Sequence, residues 1–168
     1  MRERTCCFTG HRDLPAAEIP RIRHRLERIV GRLTEEGICY FGAGGARGFD
    51  TLAAQTVLRL RERNPRLRLI LVLPCRGQEE TWEPADREAY RQILAQADKA
   101  VYLADRYEEG CMQRRNRHLV DHSGTCVYYL TRDTGGTAYT VAYARERGLR
   151  LLPVAGGEQE PGASRALR

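Results

Sequence analysis

The chain has 168 residues, of which 42% are hydrophobic and 30% charged, and its formal net charge is +6. This length suits one domain with a substantial core. No run approaches the roughly 18 apolar residues of a membrane span, and the charged start followed by a strand pattern differs from a signal peptide. The sequence therefore predicts a cytoplasmic protein with no membrane partner.

Apolar stretches bounded by turn residues alternate with helical patterns along the chain. The predicted strands are Thr5–Thr9, Ile38–Gly42, Leu67–Leu73, Ala100–Leu103, Thr125–Leu130 and Leu149–Val154. Apolar spacings of three and four predict helices from Ile19 until Gly37 and over Gly48–Arg63, Pro84–Ala97, Cys111–Asp121 and Gly136–Arg147. This alternation is typical of an α/β, Rossmann-like, doubly wound fold with a mainly parallel sheet and helices on both faces.

The domain is predicted to cover residues 1–154. The segment Ala155–Arg168 combines glycine, proline and scattered charges without apolar periodicity. Such a composition predicts a flexible C-terminal tail.

The positive charge comes almost entirely from arginine, because Lys99 is the only lysine. Five arginines fall on the polar side of the first predicted helix, namely Arg21, Arg23, Arg25, Arg28 and Arg32. We interpret them as a solvated helix face, which makes a nucleic-acid partner unlikely.

The six cysteines give no sign of a metal site. Neither a C-x-x-C pair nor a zinc-like Cys/His spacing occurs among Cys6, Cys7, Cys39, Cys75, Cys111 and Cys126. In a reducing compartment these residues are expected to be free thiols that pack as small hydrophobic groups. The sequence predicts no metal and no required cofactor.

Polar residues follow the first predicted strand directly, in the order Thr9, Gly10, His11 and Arg12. Right-handed crossovers bring the loops after parallel strands to one edge of the sheet, where ligands bind at the reversal of strand order. A hydroxyl, an imidazole and a guanidinium could meet phosphate or carboxylate there. The alternative is a plain turn with solvated side chains.

A first glycine turn follows the second strand, with Gly44, Gly45, Arg47 and Gly48 leading to Asp50 at the start of a helix. Glycines allow a ligand to approach the backbone closely, and a helix N-terminus attracts anions. The pattern matches neither a P-loop nor a strict G-x-G-x-x-G motif. The glycines could therefore serve packing alone, and Asp50 could cap the helix.

A second glycine turn, Gly135-Gly136-Thr137, follows the fifth strand and opens the last helix. Its backbone N–H groups and nearby threonine hydroxyls suit an anionic ligand. Further candidate residues occupy other loops and helix starts: Gln78, Glu79, Trp82, Arg115 and Asn116. Trp82 could stack on a base or plug a gap beside a helix.

Together, these motifs resemble the YpsA-like family of the SLOG superfamily, which is related to the LOG phosphoribohydrolases and DprA. The segments that carry the resemblance are Cys7–Arg12, Gly44–Asp50, Pro74-Cys75 with Gln78 and Trp82, Arg115–Arg117 and Gly135–Thr137. The resemblance extends to about Val154. It implies a Rossmann-like domain that binds a nucleotide or a derivative such as ADP-ribose or NAD.

One position departs from the related LOG enzymes. Those enzymes carry a carboxylate three residues after the threonine of the glycine turn, and Thr140 stands there in this chain. We therefore expect a non-catalytic sensor or regulator with a possible protein partner and a possible homodimer. One alternative is an N-glycosidic hydrolase of nucleoside phosphates or ADP-ribose, with Asp50 or Glu79 as its carboxylate. Single-stranded DNA binding, as in DprA, is a second alternative.

Overall fold

The computed structural model describes residues 1–156, in which six strands alternate with five helices. The strands are β1 (Thr5–Gly10), β2 (Tyr40–Ala43), β3 (Arg68–Leu73), β4 (Lys99–Tyr102), β5 (Thr125–Tyr129) and β6 (Arg150–Pro153). The helices are α1 (Ile19–Glu35), α2 (Phe49–Arg61), α3 (Pro84–Gln96), α4 (Cys111–Asp121) and α5 (Gly136–Glu146). Short 3₁₀ turns cover Arg2–Arg4 and Ala16–Glu18. Most of the predicted tail lies outside the described residues.

All six strands are parallel and form one sheet in the order β4-β3-β2-β1-β5-β6. The chain moves from β1 outward to β4 and then returns past β1 to place β5 on its other side. The reversal of strand order therefore lies between β1 and β5. In open α/β sheets this is where the strand ends leave a crevice for a ligand.

The two faces of the sheet carry separate cores, as the alternation of side chains along β1 shows. Phe8 belongs to the large core that contains Leu26 of α1 and Val57 of α2, whereas Cys7 packs with Leu119 of α4 and Ala144 of α5. Successive side chains of a strand point to opposite faces. The predicted doubly wound α/β arrangement is thus confirmed, with α1, α2 and α3 on one face and α4 and α5 on the other.

Phe49, the first residue of α2, connects the large core to the crevice end of the sheet. Its ring is fully buried and lies 6.0 Å from the ring of Tyr129 and 6.4 Å from that of Phe8. Its N–H donates to the carbonyl of His11 at 3.1 Å. One residue therefore holds the start of α2 against the ends of β1 and β5.

Among the described residues, no helix combines the length and the apolar character that crossing a bilayer requires.

Replacing Phe49 should expose how much of the fold depends on this contact. Phe49→Ala is expected to lower the free energy of unfolding by about 3–5 kcal/mol, because a large buried ring leaves a cavity. Phe49→Leu should lose less, since it retains most of the apolar volume. Chemical denaturation measures both.

The matched control is Tyr107→Ala, which removes an aromatic ring that is 65% exposed. Its free energy of unfolding should change by no more than about 0.5 kcal/mol. Equal losses for the Phe49 and Tyr107 variants would contradict this account of the core.

Candidate functional site

A crevice of about 320 Å³ opens at the carboxyl end of β1, beside the starts of α4 and α5. This volume lies at the lower end of the range for small-molecule sites. Nine of the residues singled out from the sequence line it: Thr9, Gly10, His11, Arg12, Asp50, Arg115, Asn116, Gly136 and Thr137. The end of β1, the loop after it and the starts of three helices, α2, α4 and α5, thus meet at the reversal of strand order.

Other singled-out residues lie outside the lining of the crevice. This group consists of Gly44, Gly45, Arg47, Gly48, Gln78, Glu79, Trp82 and Gly135. Arg47 pairs with Asp13 at 3.3 Å, and Glu79 pairs with Arg91 at the same distance. Trp82 packs edge-on against Tyr90, with ring centroids 5.3 Å apart, so its ring fills space beside α3.

The first glycine turn is filled by the protein itself. A side chain at Gly44 would meet the guanidinium of Arg115 at 2.5 Å, and one at Gly48 would meet the carbonyl oxygen of Arg12 at 2.1 Å. Gly48 also has a φ of +73°, which L side chains rarely adopt. The carbonyl of Gly45 accepts a hydrogen bond from Gln78 Nε2 at 3.4 Å. The turn therefore uses its glycines to bring protein segments close together.

Arg115 is the group that closes this turn from the side of α4. Its buried guanidinium donates from Nη1 to the carbonyl of Gly44 and from Nε to Asn116 Oδ1 at 2.7 Å. Burial lowers the pKa of Arg115, and the neighbouring charge of Asp50 opposes that shift. Since the amide oxygen of Asn116 is used, the group that Asn116 offers a ligand is its Nδ2 donor.

Asp50 lies at the floor of the crevice in the first turn of α2. Its Oδ2 accepts the N–H of Ala46 at 3.1 Å, which ties the helix to the glycine turn. Burial raises the pKa of the Asp50 carboxyl, against the opposing effects of Arg115 and the Ala46 N–H group. This bond holds the glycine turn and is not a helix cap, and Asp50 also places one carboxyl group in the crevice.

Two guanidinium groups meet at the sulfur of Met112. Arg12 Nη2 lies 3.4 Å and Arg115 Nη2 lies 3.6 Å from Met112 Sδ. The charge of Arg12 also contributes to lowering the pKa of Arg115. A thioether is a weak acceptor, so an anion bound here would satisfy these donors far better and relieve their repulsion.

His11 joins the loop after β1 to the loop after β5. Its Nε2 accepts the N–H of Thr131 at 2.9 Å, and its ring lies edge-on to Tyr129 at 5.8 Å. A ring nitrogen that accepts a hydrogen bond carries no proton, so the imidazole in this arrangement is neutral. Burial and the nearby charge of Arg132 lower the pKa of His11.

The second glycine turn, unlike the first, is open. Within residues 1–156, added Cβ atoms at Gly135 and Gly136 would meet nothing within 4 Å, and no side chain caps the start of α5. Gly135 has a φ of +98°. Helices begin with N–H groups that have no partner within the helix, and here Gly136 and Thr137 present that end to the crevice. Thr140 instead turns its hydroxyl back to the Gly136 carbonyl at 2.8 Å.

Sequence reasoning missed several residues of the lining: Phe8, Asp13, Ala46, Met112, Gln113 and Arg132. Arg132 follows β5 by three positions, so the rule that ligands meet strand ends could have found it. Gln113 precedes Asn116 by three residues on α4, a spacing that places both on one helix face. Phe8 and Ala46 lie inside the segments Cys7–Arg12 and Gly44–Asp50 that carry the family resemblance, whereas Asp13 carries no comparable signal because its position depends on how two loops meet.

The neutral state of His11 predicts a pH dependence of stability. A lowered pKa means that the unfolded chain, with a histidine pKa near 6.5, takes up a proton first as the pH falls. Stability should therefore decrease as the pH drops below about 6.5. His11→Gln retains an acceptor for the Thr131 N–H but does not titrate. Its free energy of unfolding should therefore decrease less than that of wild type between pH 7.5 and pH 5. Denaturant titrations at each pH measure this difference.

His24→Gln is the matched control, because His24 is exposed on α1. That variant should follow the wild-type pH curve. Part of the decrease should persist in every variant, since burial lowers the pKa of His118 as well. Identical curves for wild type and His11→Gln would contradict the role assigned to His11.

Comparison with solved structures finds the same fold in two DNA processing proteins. The chain aligns with DprA from Streptococcus pneumoniae with a TM-score of 0.65 and 17% identity, covering 96% of this chain and 53% of that one. DprA from Helicobacter pylori was solved in a study of its single-stranded DNA binding mode. It aligns with a TM-score of 0.65 and 18% identity, covering 94% of this chain and 67% of that one. The chain spans about half the length of the pneumococcal protein. At these identities the likeness concerns the fold.

Sequence comparison gives a more specific relationship. The UPF0398 protein BH1768 of Halalkalibacterium halodurans is 33% identical over 129 residues, which are 75% of this chain and 68% of that protein. The UPF0398 protein YpsA of Bacillus subtilis is 29% identical over 123 residues, which are 71% of this chain and 68% of that protein. The model of the YspA SLOG family, named YpsA, matches residues 7–150. The chain therefore belongs to the YpsA family of SLOG proteins.

Proposed function

We propose that this protein binds a nucleotide or nucleotide-derived ligand, of the ADP-ribose or NAD class, in the crevice at the end of β1. The observation that carries the proposal is the uncapped, open N-terminus of α5, which shares one crevice with Arg12, Arg115 and Arg132. Helix N–H groups and guanidinium groups are the donors that phosphate oxygens prefer.

The distribution of donors suggests how such a ligand lies. One phosphate would meet the N–H groups of Gly136 and Thr137. A second anionic group would bind between Arg12 and Arg115 and replace Met112 Sδ as the acceptor of their hydrogen bonds. Asp50 is one of two carboxylates in this lining, and because the other, Asp13, is paired with Arg47, Asp50 is the one that suits a ribose hydroxyl.

The ligand is proposed to be bound rather than cleaved. Thr140 stands where the LOG enzymes have their carboxylate, and its hydroxyl is occupied within α5. Of the carboxylates considered from the sequence, Asp50 holds the Ala46 N–H and Glu79 is paired with Arg91 outside the crevice lining. A sensor or regulator in the cytoplasm fits these features, with ligand occupancy linked to a protein partner or a homodimer by population shift.

Single-stranded DNA binding is the second candidate, and the likeness to the two DprA structures favours it. Several arginines around the crevice could follow a phosphate backbone. This function predicts an affinity that falls steeply with salt, because each neutralised phosphate releases counterions. A nucleotide held by helix N–H groups in a confined crevice should show a weaker salt dependence.

Thermal unfolding with candidate ligands tests the proposal. ADP-ribose, NAD, AMP and a short single-stranded DNA are added separately, and each mixture is then chromatographed. A true ligand at 100 times its Kd should stabilise the protein by about 2.7 kcal/mol. Stabilisation with intact ligand supports the proposal, and release of base or ribose phosphate supports the hydrolase. Stabilisation by the DNA alone, or by none of the compounds, contradicts it.

Gly136→Asp should separate ligand binding from folding. The new side chain enters open space, and a carboxylate at the start of α5 stabilises the helix by about 0.3–1 kcal/mol. The same carboxylate repels phosphate, so the unliganded variant should be at least as stable as wild type while the ligand-induced stabilisation disappears.

Gly31→Asp is the matched control, because a side chain at Gly31 of α1 also meets none of the described residues within 4 Å. It adds the same charge on the opposite face of the sheet and should retain the ligand response. A wild-type response in Gly136→Asp would contradict the placement of the phosphate at α5.

A further inference from the structure

We propose that Met112, in the first turn of α4, is a site of oxidation to the sulfoxide by hydroperoxides, and that the added oxygen closes the anion subsite between Arg12 and Arg115. Met112 lines the crevice, and its side chain is partly exposed. Its Sδ lies 3.4 Å from Arg12 Nη2 and 3.6 Å from Arg115 Nη2. The closing of the subsite rests on the proposed function, whereas the oxidation does not.

The thioether is a poor partner for the two cations that face it. The sulfur of methionine is a weak acceptor, whereas oxidation converts this apolar side chain into a polar one that carries an oxygen acceptor. Hydrogen bonds from a guanidinium group to oxygen are among the strong ones. Burial lowers the pKa of Arg115, and the charge of Arg12 adds to that effect, so the two cations repel each other. An oxygen between them therefore improves the local hydrogen bonding.

The two arginines differ in how they accommodate this oxygen. Arg115 is buried and donates to the carbonyl of Gly44 and to Asn116 Oδ1, so its guanidinium is fixed. Arg12 is exposed, and its guanidinium can withdraw by the short distance that an added oxygen requires. The oxygen then occupies the space proposed for the second anionic group of the ligand.

The other sulfur atoms of the chain are less suited to this reaction or lie elsewhere. All six cysteines are buried, with at most 8% of each exposed. Cysteine reacts as the thiolate, and burial raises the pKa of the Cys75 thiol, which keeps it protonated. A thioether needs no deprotonation. The second methionine, Met1, is 68% exposed at the chain start and provides a reference for the reaction.

The oxidation transfers one oxygen atom from hydrogen peroxide to Met112 Sδ. A sulfur lone pair attacks one peroxide oxygen, an S–O bond forms and the O–O bond breaks. The departing hydroxide takes the proton from the new S–OH group and leaves as water. Sulfur is oxidised by two electrons and the peroxide is reduced, so atoms and charge balance. Sulfoxide reductases reverse this modification of methionine.

Peptide mass spectrometry of the full chain treated with hydrogen peroxide tests the oxidation without any ligand. Met112 sulfoxide should form in the folded protein over the period in which Met1 is oxidised. Met112 that stays unmodified after Met1 has been fully converted would overturn the proposal.

Thermal unfolding of the unliganded protein tests whether the new oxygen bonds to the arginines. Oxidised wild type should be at least as stable as untreated wild type, because Arg12 and Arg115 gain a better acceptor. Arg12→Gln removes one of these donors, so oxidation should destabilise that variant. Equal destabilisation of wild type and Arg12→Gln would show that the oxygen is not held there, against the proposal.

Thermal unfolding with ADP-ribose, before and after peroxide treatment, tests the closing of the subsite. Oxidation should weaken ADP-ribose binding by wild type roughly tenfold or more, since hydrogen bonds to a charged group are lost. AMP should be affected less, because its single phosphate is placed at the start of α5. Met112→Gln carries a permanent oxygen acceptor and should weaken ADP-ribose binding without peroxide.

Met112→Leu is the matched control, since it retains Met1 and all six cysteines but has no sulfur at position 112. Its ADP-ribose response should be the same before and after treatment, whatever its size. Unchanged binding by oxidised wild type, or an equal loss in Met112→Leu, would contradict the closing of the subsite. If untreated wild type binds neither ADP-ribose nor AMP, the proposed function and the closing both fail, while the mass measurement still decides the oxidation.

Discussion

The hydrogen bond from the buried guanidinium of Arg115 to the carbonyl of Gly44 is the contact on which the crevice depends. It joins α4, on one face of the sheet, to the turn between β2 and α2, 71 residues earlier in the chain. A buried charge needs partners, and Arg115 has them in Gly44, in Asn116 and in the nearby charge of Asp50. The same side chain thereby orients Asn116, approaches Met112 and leaves one wall of the crevice positively charged.

The two glycine turns perform different tasks as a result. The first is a packing device, because Arg115 and the backbone after β1 occupy the space that side chains at Gly44 and Gly48 would take. The second leaves its backbone open at the start of α5. His11 connects the loop after β1 to the loop after β5 through its bond to Thr131, and its carbonyl accepts the N–H of Phe49, directly after the first turn. In this chain the first glycine turn packs against Arg115 to form one side of the crevice, and the second presents the N–H groups at the start of α5.

The order and type of the strands and helices could be predicted because apolar periodicity and turn residues mark them directly. The boundaries of the predicted elements differ from those in the structure by one or two residues, where a backbone N–H group bonds to a partner outside the predicted element. Ile38, for example, donates to Leu33 at the end of α1, so β2 begins at Tyr40. The cluster of Thr9, Arg12 and Gly136 followed from the rule for strand ends. The separate tasks of the two glycine turns did not, because Arg115 is distant in sequence and glycine serves packing and ligand approach equally well.

The central claim, that a phosphate group binds at the second glycine turn, is tested most directly by amide NMR of ¹⁵N-labelled protein titrated with AMP. The account predicts that the largest chemical-shift changes occur at the N–H groups of Gly136 and Thr137, which open α5 and are capped by no side chain in the described part of the chain. Smaller changes should appear at Gly44 and Gly48, whose surroundings are already filled. Large changes at the first turn with none at Gly136 and Thr137 would contradict the account.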